Sequence, residues 1–464
     1  MKFNPLVIIV TLTGAYLLIR LRFFFLLHPV RTAGYVLKGL KRKETARALF
    51  LALSGTLGVG NVVGVAVGII TGGAGSVFWM LVSTLFAAAL KYGEVTLATD
   101  GISRSEEGVR GGIHTALCRF FGRLGGMLAL IYSTCTVLLS FFMGATLQSS
   151  ALVGGIGAIF DTPPTVIAII LAFFVLFSVV FGTRVIEKIT AVVIPLTTIV
   201  YIILTLSVVF VCKERLPDAV TAILHGAFTA RGAFGGALGF LFSRAVSEGF
   251  SRGLLSNEAG AGTSSAAHAR GSSLHPAMCG LMGIAEVVFD TTLLCSLTAL
   301  AILCAVPNTS LYTDGISLVY AAVLSLGAPA GAILAFCICA FAFSTVICWY
   351  FYGTEAYYSL FGRRSAVLLP IYLAFVLLGS RLSATPVIFV TDVLLLIMTA
   401  ITSLLLIKKS DRICTLSEGF GLYGGPKKIF KLKGSGARRL RQRSARSRKI
   451  RPKKPRSIKN PLPR

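Results

Sequence analysis

The stretch Gly55-Thr-Leu-Gly-Val-Gly-Asn61 sits in the middle of an apolar run from about Ala48 to Ile70. The run is long enough to cross a bilayer as a helix. Its centre nevertheless holds Gly55, Gly58, Gly60 and Gly64, with Thr56 and Asn61 among them. Each glycine costs roughly 1 kcal/mol in a helix interior relative to alanine. A helix that breaks at mid-membrane frees N–H and C=O groups that lipid cannot satisfy. Such backbone is tolerated only where it faces protein or a watery cavity, and there freed N–H groups suit an anion and freed carbonyls a cation. The competing reading is a small-residue face for helix packing. The motif alone leaves both open.

The 464-residue chain is 55% hydrophobic and 14% charged, with a mean hydropathy of +0.82. That composition reads as a polytopic membrane protein of the all-α class. The N-terminal apolar run has no cleavage-site pattern after it and is followed by Arg20, Arg22 and Arg31, so it reads as a retained helix. The ten cysteines form no CxxC pair, and most fall inside apolar spans. They read as small buried hydrophobes, neither a metal site nor a disulfide framework. No Ser–His–acid order, P-loop or HExxH is present, so nothing points to an enzyme, and no cofactor is expected.

Eleven spans are expected, near residues 5–28, 48–71, 75–99, 124–150, 165–182, 190–212, 236–255, 277–305, 330–352, 366–380 and 386–407. The connections after odd-numbered spans are rich in Lys and Arg: Arg31, Lys38, Lys41, Arg42, Lys43 and Arg47 in 29–47, and further basic residues in 91–123, 182–189, 249–275 and 360–365. The alternate connections carry few. The positive-inside rule then places the N-terminus outside and the C-terminus in the cytoplasm, as an odd number of crossings requires.

Residues 1–30 hold an extra first span; the other ten divide into 31–235 and 236–410, five spans each. An odd number per half makes the second half run opposite to the first, a five-plus-five inverted repeat. The first spans of the two halves, 48–71 and 236–255, are both interrupted. The second carries Gly235-Gly-Ala-Leu-Gly239, then Arg244, Glu248 and Arg252, and continues through Arg252-Gly-Leu-Leu-Ser-Asn-Glu-Ala-Gly-Ala-Gly262. Two broken helices at matching places are the sequence signature of a transporter site. The remainder, 411–464, is a basic cytoplasmic tail, with 17 Lys and Arg and no acidic residue from Lys427 onward. It should be disordered. Attraction to anionic lipid headgroups explains its charge without a nucleic-acid partner.

These residues resemble the alanine or glycine:cation symporter family, also called sodium:alanine symporters. The resemblance rests on Gly58-Val-Gly-Asn-Val-Val-Gly-Val-Ala66, Gly72-Gly73 with Phe78-Trp79-Met80, Lys91-Tyr-Gly-Glu94, and Gly144 with Gln148. It continues through Ser256-Asn-Glu-Ala-Gly260, His275-Pro276, Phe289-Asp-Thr291, Phe343-Ser-Thr345 and Trp349-Tyr-Phe-Tyr-Gly353. The chain departs from the family pattern at Ala74, Ala98-Thr-Asp100, Ile113-His114 and Ser247-Glu248. The resemblance implies a LeuT-type fold in the plasma membrane, importing a small neutral amino acid such as alanine or glycine with Na⁺, or in some members H⁺, as the co-transported ion. A proton-coupled carrier, an uncoupled carrier and a channel are the alternatives.

On that reading the N–H groups of Thr56, Gly58, Val59 and Gly60 hold the substrate carboxylate, Gly60 most closely, helped by the half-helix dipole. Asn61 ties the broken backbone together. Gln148, an amide in an apolar span, binds substrate or bridges helices. Ser344 and Thr345 offer hydroxyls to a hard cation. The resemblance implies that they join the carbonyls of Ser54, Leu57 and Phe341 in a five-oxygen cage; the alternative is back-bonding of the hydroxyls to their own helix. Thr345 and Trp349 also border the substrate, Trp349 as a wall or as an interfacial anchor. Glu94, Arg252 and Glu258 are either a cytoplasmic ion-pair gate or solvated edge charges. Asp290, deep in the eighth span, requires a partner.

Overall fold

The computed structural model describes residues 5–105, 108–157, 160–228, 244–271, 274–382 and 384–423. The Gly235–Gly239 interruption and the tail from Lys427 lie outside them. The described chain is helical apart from an antiparallel hairpin of Ser103–Ser105 (β1) with Gly108–Arg110 (β2). The longer helices, leaving out the single turn Phe24–Leu27, are α1 Pro5–Arg20, α2 Pro29–Leu40, α3 Lys43–Thr56, α4 Gly60–Gly72, α5 Gly75–Thr99, α6 Ile113–Gly157, α7 Pro164–Val180 and α8 Thr183–Val211. They continue with α9 Leu216–Ala227, α10 Arg244–Asn257, α11 Ser265–Arg270, α12 Pro276–Ala305, α13 Gly315–Leu326, α14 Ala328–Phe361, α15 Leu368–Leu378, α16 Ala384–Lys408 and α17 Ser410–Phe420.

Among the described residues six helices are long and apolar enough to cross a membrane: α5, α6, α8, α12, α14 and most of α16. The bent pair α3–α4 adds a seventh, and the shorter apolar helices α1, α7 and α15 fall on three further expected spans. The eleventh expected span, 236–255, is described only from Arg244. Helix α6 begins at Ile113, earlier than the expected 124, because a left-handed turn at Gly122 (φ 57°) joins a preceding segment to the span.

Helices α3 and α4 meet at 55° across Leu57–Val59. Leu57 leaves the helical region (φ −74°, ψ 74°), so the break falls inside the glycine stretch. A second interruption separates α10 from α11. Glu258, Gly260 and Gly262 all have positive φ, at 51°, 95° and 71°, and only the glycines adopt this without penalty. This break lies at 258–264, beginning within the Arg252–Gly262 continuation and ending two residues past it. The two interrupted helices pack side by side, α3 on α11 and α4 on α10.

Side chains complete the second break. Asn257 accepts the N–H of Ala259 at 3.0 Å, Glu94 accepts that of Gly260 at 2.5 Å, and Tyr132 donates to the carbonyl of Ala261 at 2.9 Å. A buried charged pair supports this region: Lys91 Nζ lies 3.1 Å from Glu286 Oε1 and donates to Ser264 at 2.7 Å. Both charged side chains are wholly shielded. His268 Nε2 sits 2.8 Å from the other Glu286 oxygen.

A buried pair is most costly when half of it is removed, about 3–5 kcal/mol, because the other charge is left stranded. Glu286→Leu should therefore lower the unfolding midpoint in detergent well below wild type. The double variant Lys91→Met/Glu286→Leu should recover part of that loss. A double variant no more stable than the single one would show that the stranded lysine is not the cause.

Candidate functional site

Asn61, Gln148 and Asp290 lie in or beside π-turns, which bulge a helix and redirect its side chains. Asn61 falls in Gly60–Gly64, Gln148 directly follows Ser140–Leu147, and Asp290 lies in Val288–Cys295. Asn61 does not close its own break. Its amide donates to Asp290 Oδ1 at 2.6 Å. The other Asp290 oxygen accepts from Ser256 at 2.8 Å and Thr291 at 2.8 Å. Asp290 is thus the buried partner of both interrupted helices, and the charge at depth is satisfied by three donors.

The backbone of the first break is satisfied only in part. Gly58 N–H bonds back to Thr56 O at 2.8 Å. Among the described residues Val59 N–H meets no backbone acceptor. A Cβ on Gly58 would stand 3.1 Å from both Gln148 Oε1 and Thr345 Oγ1, so these three residues converge. A Cβ on Gly60 would meet nothing within 4 Å. Neither glycine has positive φ. The crowding expected at Gly60 falls instead on Gly58, because the helix has already resumed at Gly60 and turns it outward. Thr56 is buried, with its hydroxyl back-bonded to Leu53 O at 3.4 Å.

Helix α14 presents Thr345, Trp349 and Tyr352 along one face. Trp349 is fully buried near the middle of the helix, beneath Gly144, where a Cβ would stand only 2.2 Å from its own. That location rules out an interfacial anchor. Trp349 meets Tyr352 edge to face at 5.4 Å. A Cβ on Gly55 would lie 2.8 Å from the Tyr352 hydroxyl, so Tyr352 adjoins the first break. Gln148 Oε1, Trp349 Nε1 and the Tyr352 hydroxyl are buried without a hydrogen-bond partner among the described residues. Unpaired buried polar atoms are rare and call for an explanation.

The expected cation ligands are largely gathered. Thr345 Oγ1 donates to Phe341 O at 2.9 Å and reaches Leu57 O at 3.4 Å. Ser344 Oγ donates to Phe341 O at 2.9 Å. Both hydroxyls therefore back-bond, as the alternative reading expected, and Thr345 also spans to the broken helix. Ser54 is buried one turn earlier, its hydroxyl directed to Leu51 O at 2.7 Å.

Glu94, Arg252 and Glu258 do not form one ionic cluster. Arg252 pairs with Glu248 at 3.4 Å and lies against Gly68 of α4. Glu94 and Glu258 stay at the second break, Glu258 accepting from Thr263 at 2.6 Å. Helix α10 runs past the expected end of its span, which carries Arg252 a turn and more away from that break. The ionic link between the interrupted helices and their neighbours falls instead on Arg270 of α11. Its guanidinium reaches Glu187 of α8 at 3.1 Å and Glu355 of α14 at 2.7 Å, and lies 4.9 Å over the Phe351 ring. Arg270 was visible in the sequence only as one basic loop residue, and its partners stand 83 and 85 positions away.

A cavity of about 360 Å³ opens beside these contacts. Its walls include His114, Tyr132, Thr263, Tyr352 and Glu355. Tyr352 thus stands between this cavity and the first break.

A family model described as "Sodium:alanine symporter family" matches residues 1–415. The sodium/alanine symporter AgcS of Methanococcus maripaludis is 30% identical over 384 residues, 79% of this chain and 82% of that protein. The putative sodium/proton-dependent alanine carrier protein YrbD of Bacillus subtilis is 30% identical over 380 residues, 78% of this chain and 77% of its own. Among solved structures, MhsT in complex with L-phenylalanine superposes with a TM-score of 0.54 at 13% identity, over 81% of this chain and 89% of that one. At that identity the likeness concerns the fold alone, which is that of the LeuT-type transporters. With the family model spanning nearly the whole helical region, and with relatives aligned over most of their own length, this chain belongs to the sodium:alanine symporter family.

Proposed function

We propose that the protein carries a small neutral amino acid, of alanine or glycine size, across the membrane together with Na⁺. The observation that carries this reading is the convergence of Gly58, Gln148 and Thr345 at a break whose backbone is not completed by its neighbours. The N–H groups at the start of α4, Val59 foremost, suit the carboxylate, where the half-helix dipole is positive. Gln148 Oε1 is an acceptor suited to the ammonium. Trp349 walls the side-chain end and limits its size. Leu57 O, Phe341 O, Ser344 Oγ and Thr345 Oγ1 supply hard oxygens for Na⁺, with the Ser54 carbonyl as a fifth.

Thr345 joins the two ligands, because its hydroxyl faces both Gly58 and the carbonyls of Leu57 and Phe341. Occupancy of one site then orders a group used by the other, which is a positive coupling free energy. Release toward the 360 Å³ cavity requires Tyr352 to turn away from Gly55. The N-terminus is assigned to the outside and the basic tail to the cytoplasm, where the tail contacts anionic headgroups.

The direct test is uptake into proteoliposomes. Alanine or glycine uptake should rise with an inward Na⁺ gradient at constant pH. Equal uptake in Na⁺ and choline, with uptake following an inward pH gradient, would assign the coupling to H⁺. Counterflow in the absence of any gradient separates a carrier from a channel, since only a carrier exchanges substrate.

Thr345→Val keeps the side-chain shape and removes one oxygen. It should raise the Na⁺ concentration needed for half-maximal uptake, the loss corresponding to about 1–3 kcal/mol. An unchanged Na⁺ requirement in a folded variant would displace the cation site.

Gly58→Ala should weaken substrate binding per folded molecule by roughly 1–3 kcal/mol, since its methyl group crowds Gln148 and Thr345. Gly60→Ala, which meets open space, should bind as wild type. Radioligand binding to purified protein reads both. The opposite order of effects would return the carboxylate site to Gly60.

A further inference from the structure

A second, larger cavity lies apart from the substrate site, between α3, the start of α8, the end of α11 and the segment after α14. Its volume is about 550 Å³. Four connections that the charge count assigned to one side of the membrane each supply a cation to it: Arg47 from the first, Arg184 and Lys188 from the next, then Arg270, and last Arg364. Glu44 and Glu187 are the acidic residues in its lining. Arg270 is committed to Glu187 and Glu355, and Arg364 stands 4.0 Å from Glu355. Arg47, Arg184 and Lys188 have no carboxylate within ion-pair distance among the described residues. The lining thus carries five cations against two carboxylates, and this positive excess suits an anion.

The backbone adds to the same field. Helix α8 is 29 residues long and starts at this cavity, with Gly182 at φ 87° forming its N-cap. The first N–H groups of a helix have no intrahelical acceptor, and its dipole favours an anion there. At the rim is Phe181, exposed and stacked edge to face with Phe177 at 5.4 Å. Cations inside and aromatic rings at the mouth match a molecule with an anionic head and an apolar body.

We propose that this cavity binds a phosphate group, and that its source is an anionic phospholipid whose acyl chains lie against Phe177 and Phe181. The phosphate sits between Arg47 and the pair Arg184 and Lys188. Basic pockets between membrane helices are suited to such headgroups. The position has a consequence for transport. Arg47 belongs to α3, half of the first interrupted helix, whereas Arg184 and Lys188 belong to α8, which neighbours α3 and α14. A shared phosphate therefore adds a second bridge beside that of Arg270, and steadies the arrangement in which α3 and α11 rest on α8 and α14.

The test uses the full chain, so the basic tail contributes equally throughout. Wild type, Arg184→Gln/Lys188→Gln, Arg47→Gln and a control pair at the other end of α8, Lys213→Gln/Arg215→Gln, are compared. All four substituted residues on α8 and beyond are exposed, so folding should survive; equal unfolding midpoints in detergent without phosphate verify it. Adding phosphatidylglycerol to phosphatidylcholine micelles should raise the midpoint of wild type and of the control pair. It should leave the pocket variants unmoved. A second arm titrates inorganic phosphate. A response to the lipid alone assigns the source as proposed. An equal response to inorganic phosphate, also abolished in the pocket variants, keeps the phosphate site and reassigns its source to a soluble anion. Pocket variants that respond as wild type does would overturn the proposal, whatever the transport assays show.

Discussion

One carboxylate sets the relation between the two interrupted helices. Asp290 receives Asn61 from just beyond the first break at 2.6 Å and Ser256 from just before the second at 2.8 Å. In a medium without water, a carboxylate with three donors is far less costly than one without, and each donor loses a partner if it leaves. The two helices are therefore fastened to α12, and through it to each other, close to where each loses its regular hydrogen bonding. A helix can be interrupted within a membrane only if something else satisfies what it releases. Around that requirement the two breaks differ. Asn257, Glu94 and Tyr132 complete the second. Among the described residues the first leaves Val59 N–H without a backbone acceptor and faces Gln148 Oε1, Trp349 Nε1 and the Tyr352 hydroxyl, which have no hydrogen-bond partner, as Glu94 Oε2 has none at the second.

Glycine makes the contacts close enough for these bonds to form. A Cβ on Gly253 would stand 2.1 Å from the Ser83 hydroxyl, and one on Gly280 would stand 2.2 Å from that of Thr96. At Gly283 it would approach the Lys91 carbonyl at 3.0 Å. These glycines bring α10 and α12 onto α5, and with that approach Lys91 reaches Glu286. Helices in a membrane gain by such van der Waals contact, since lipid offers no hydrophobic drive between them. The first glycine stretch has different neighbours at its different positions. Gly55 lies against Tyr352, while Gly58 opens toward Gln148 and Thr345.

The first break was legible because glycine, threonine and asparagine interrupt an apolar run, and that contradiction is local. The second was legible only in part. Gly260 and Gly262 mark it, and the other interruption that the sequence offers, Gly235–Gly239, lies outside the described residues. Polar pairing was scarcely legible at all. Asp290 was expected to need a partner, yet nothing near it names Asn61, 229 positions earlier. Likewise Arg252 and Arg270 look alike in a string of letters. Their roles diverge because α10 continues to Asn257, which leaves Arg252 beside α4 and carries Arg270 to the end of α11. Periodicity and composition report which residues enter the membrane, whereas charge partners depend on packing between distant helices. Trp349 shows the same limit: its burial follows from α14 extending to Phe361, well past the expected end at 352.

The contacts also differ in what it takes to break them, and this bears on how such a bundle moves. The Asp290 and Lys91–Glu286 groups are wholly buried, so parting them strands charge in a low dielectric. The side chains of Arg270, Glu187 and Glu355 remain 14–22% exposed, where water can replace a lost partner at far smaller cost. Tyr352 is held by ring contacts, and its hydroxyl has no geometric hydrogen-bond partner among the described residues. Motion that opens a path to the first break should follow the cheaper set. The two interrupted helices then travel as one body with α5 and α12, bound by Asp290 and Lys91. They part from α8 and α14 along the seam that Arg270 closes. On the proposed reading, a ligand bridging Gly58 with Thr345 would span that same seam, and its occupancy and the position of the moving body would be linked through one set of contacts.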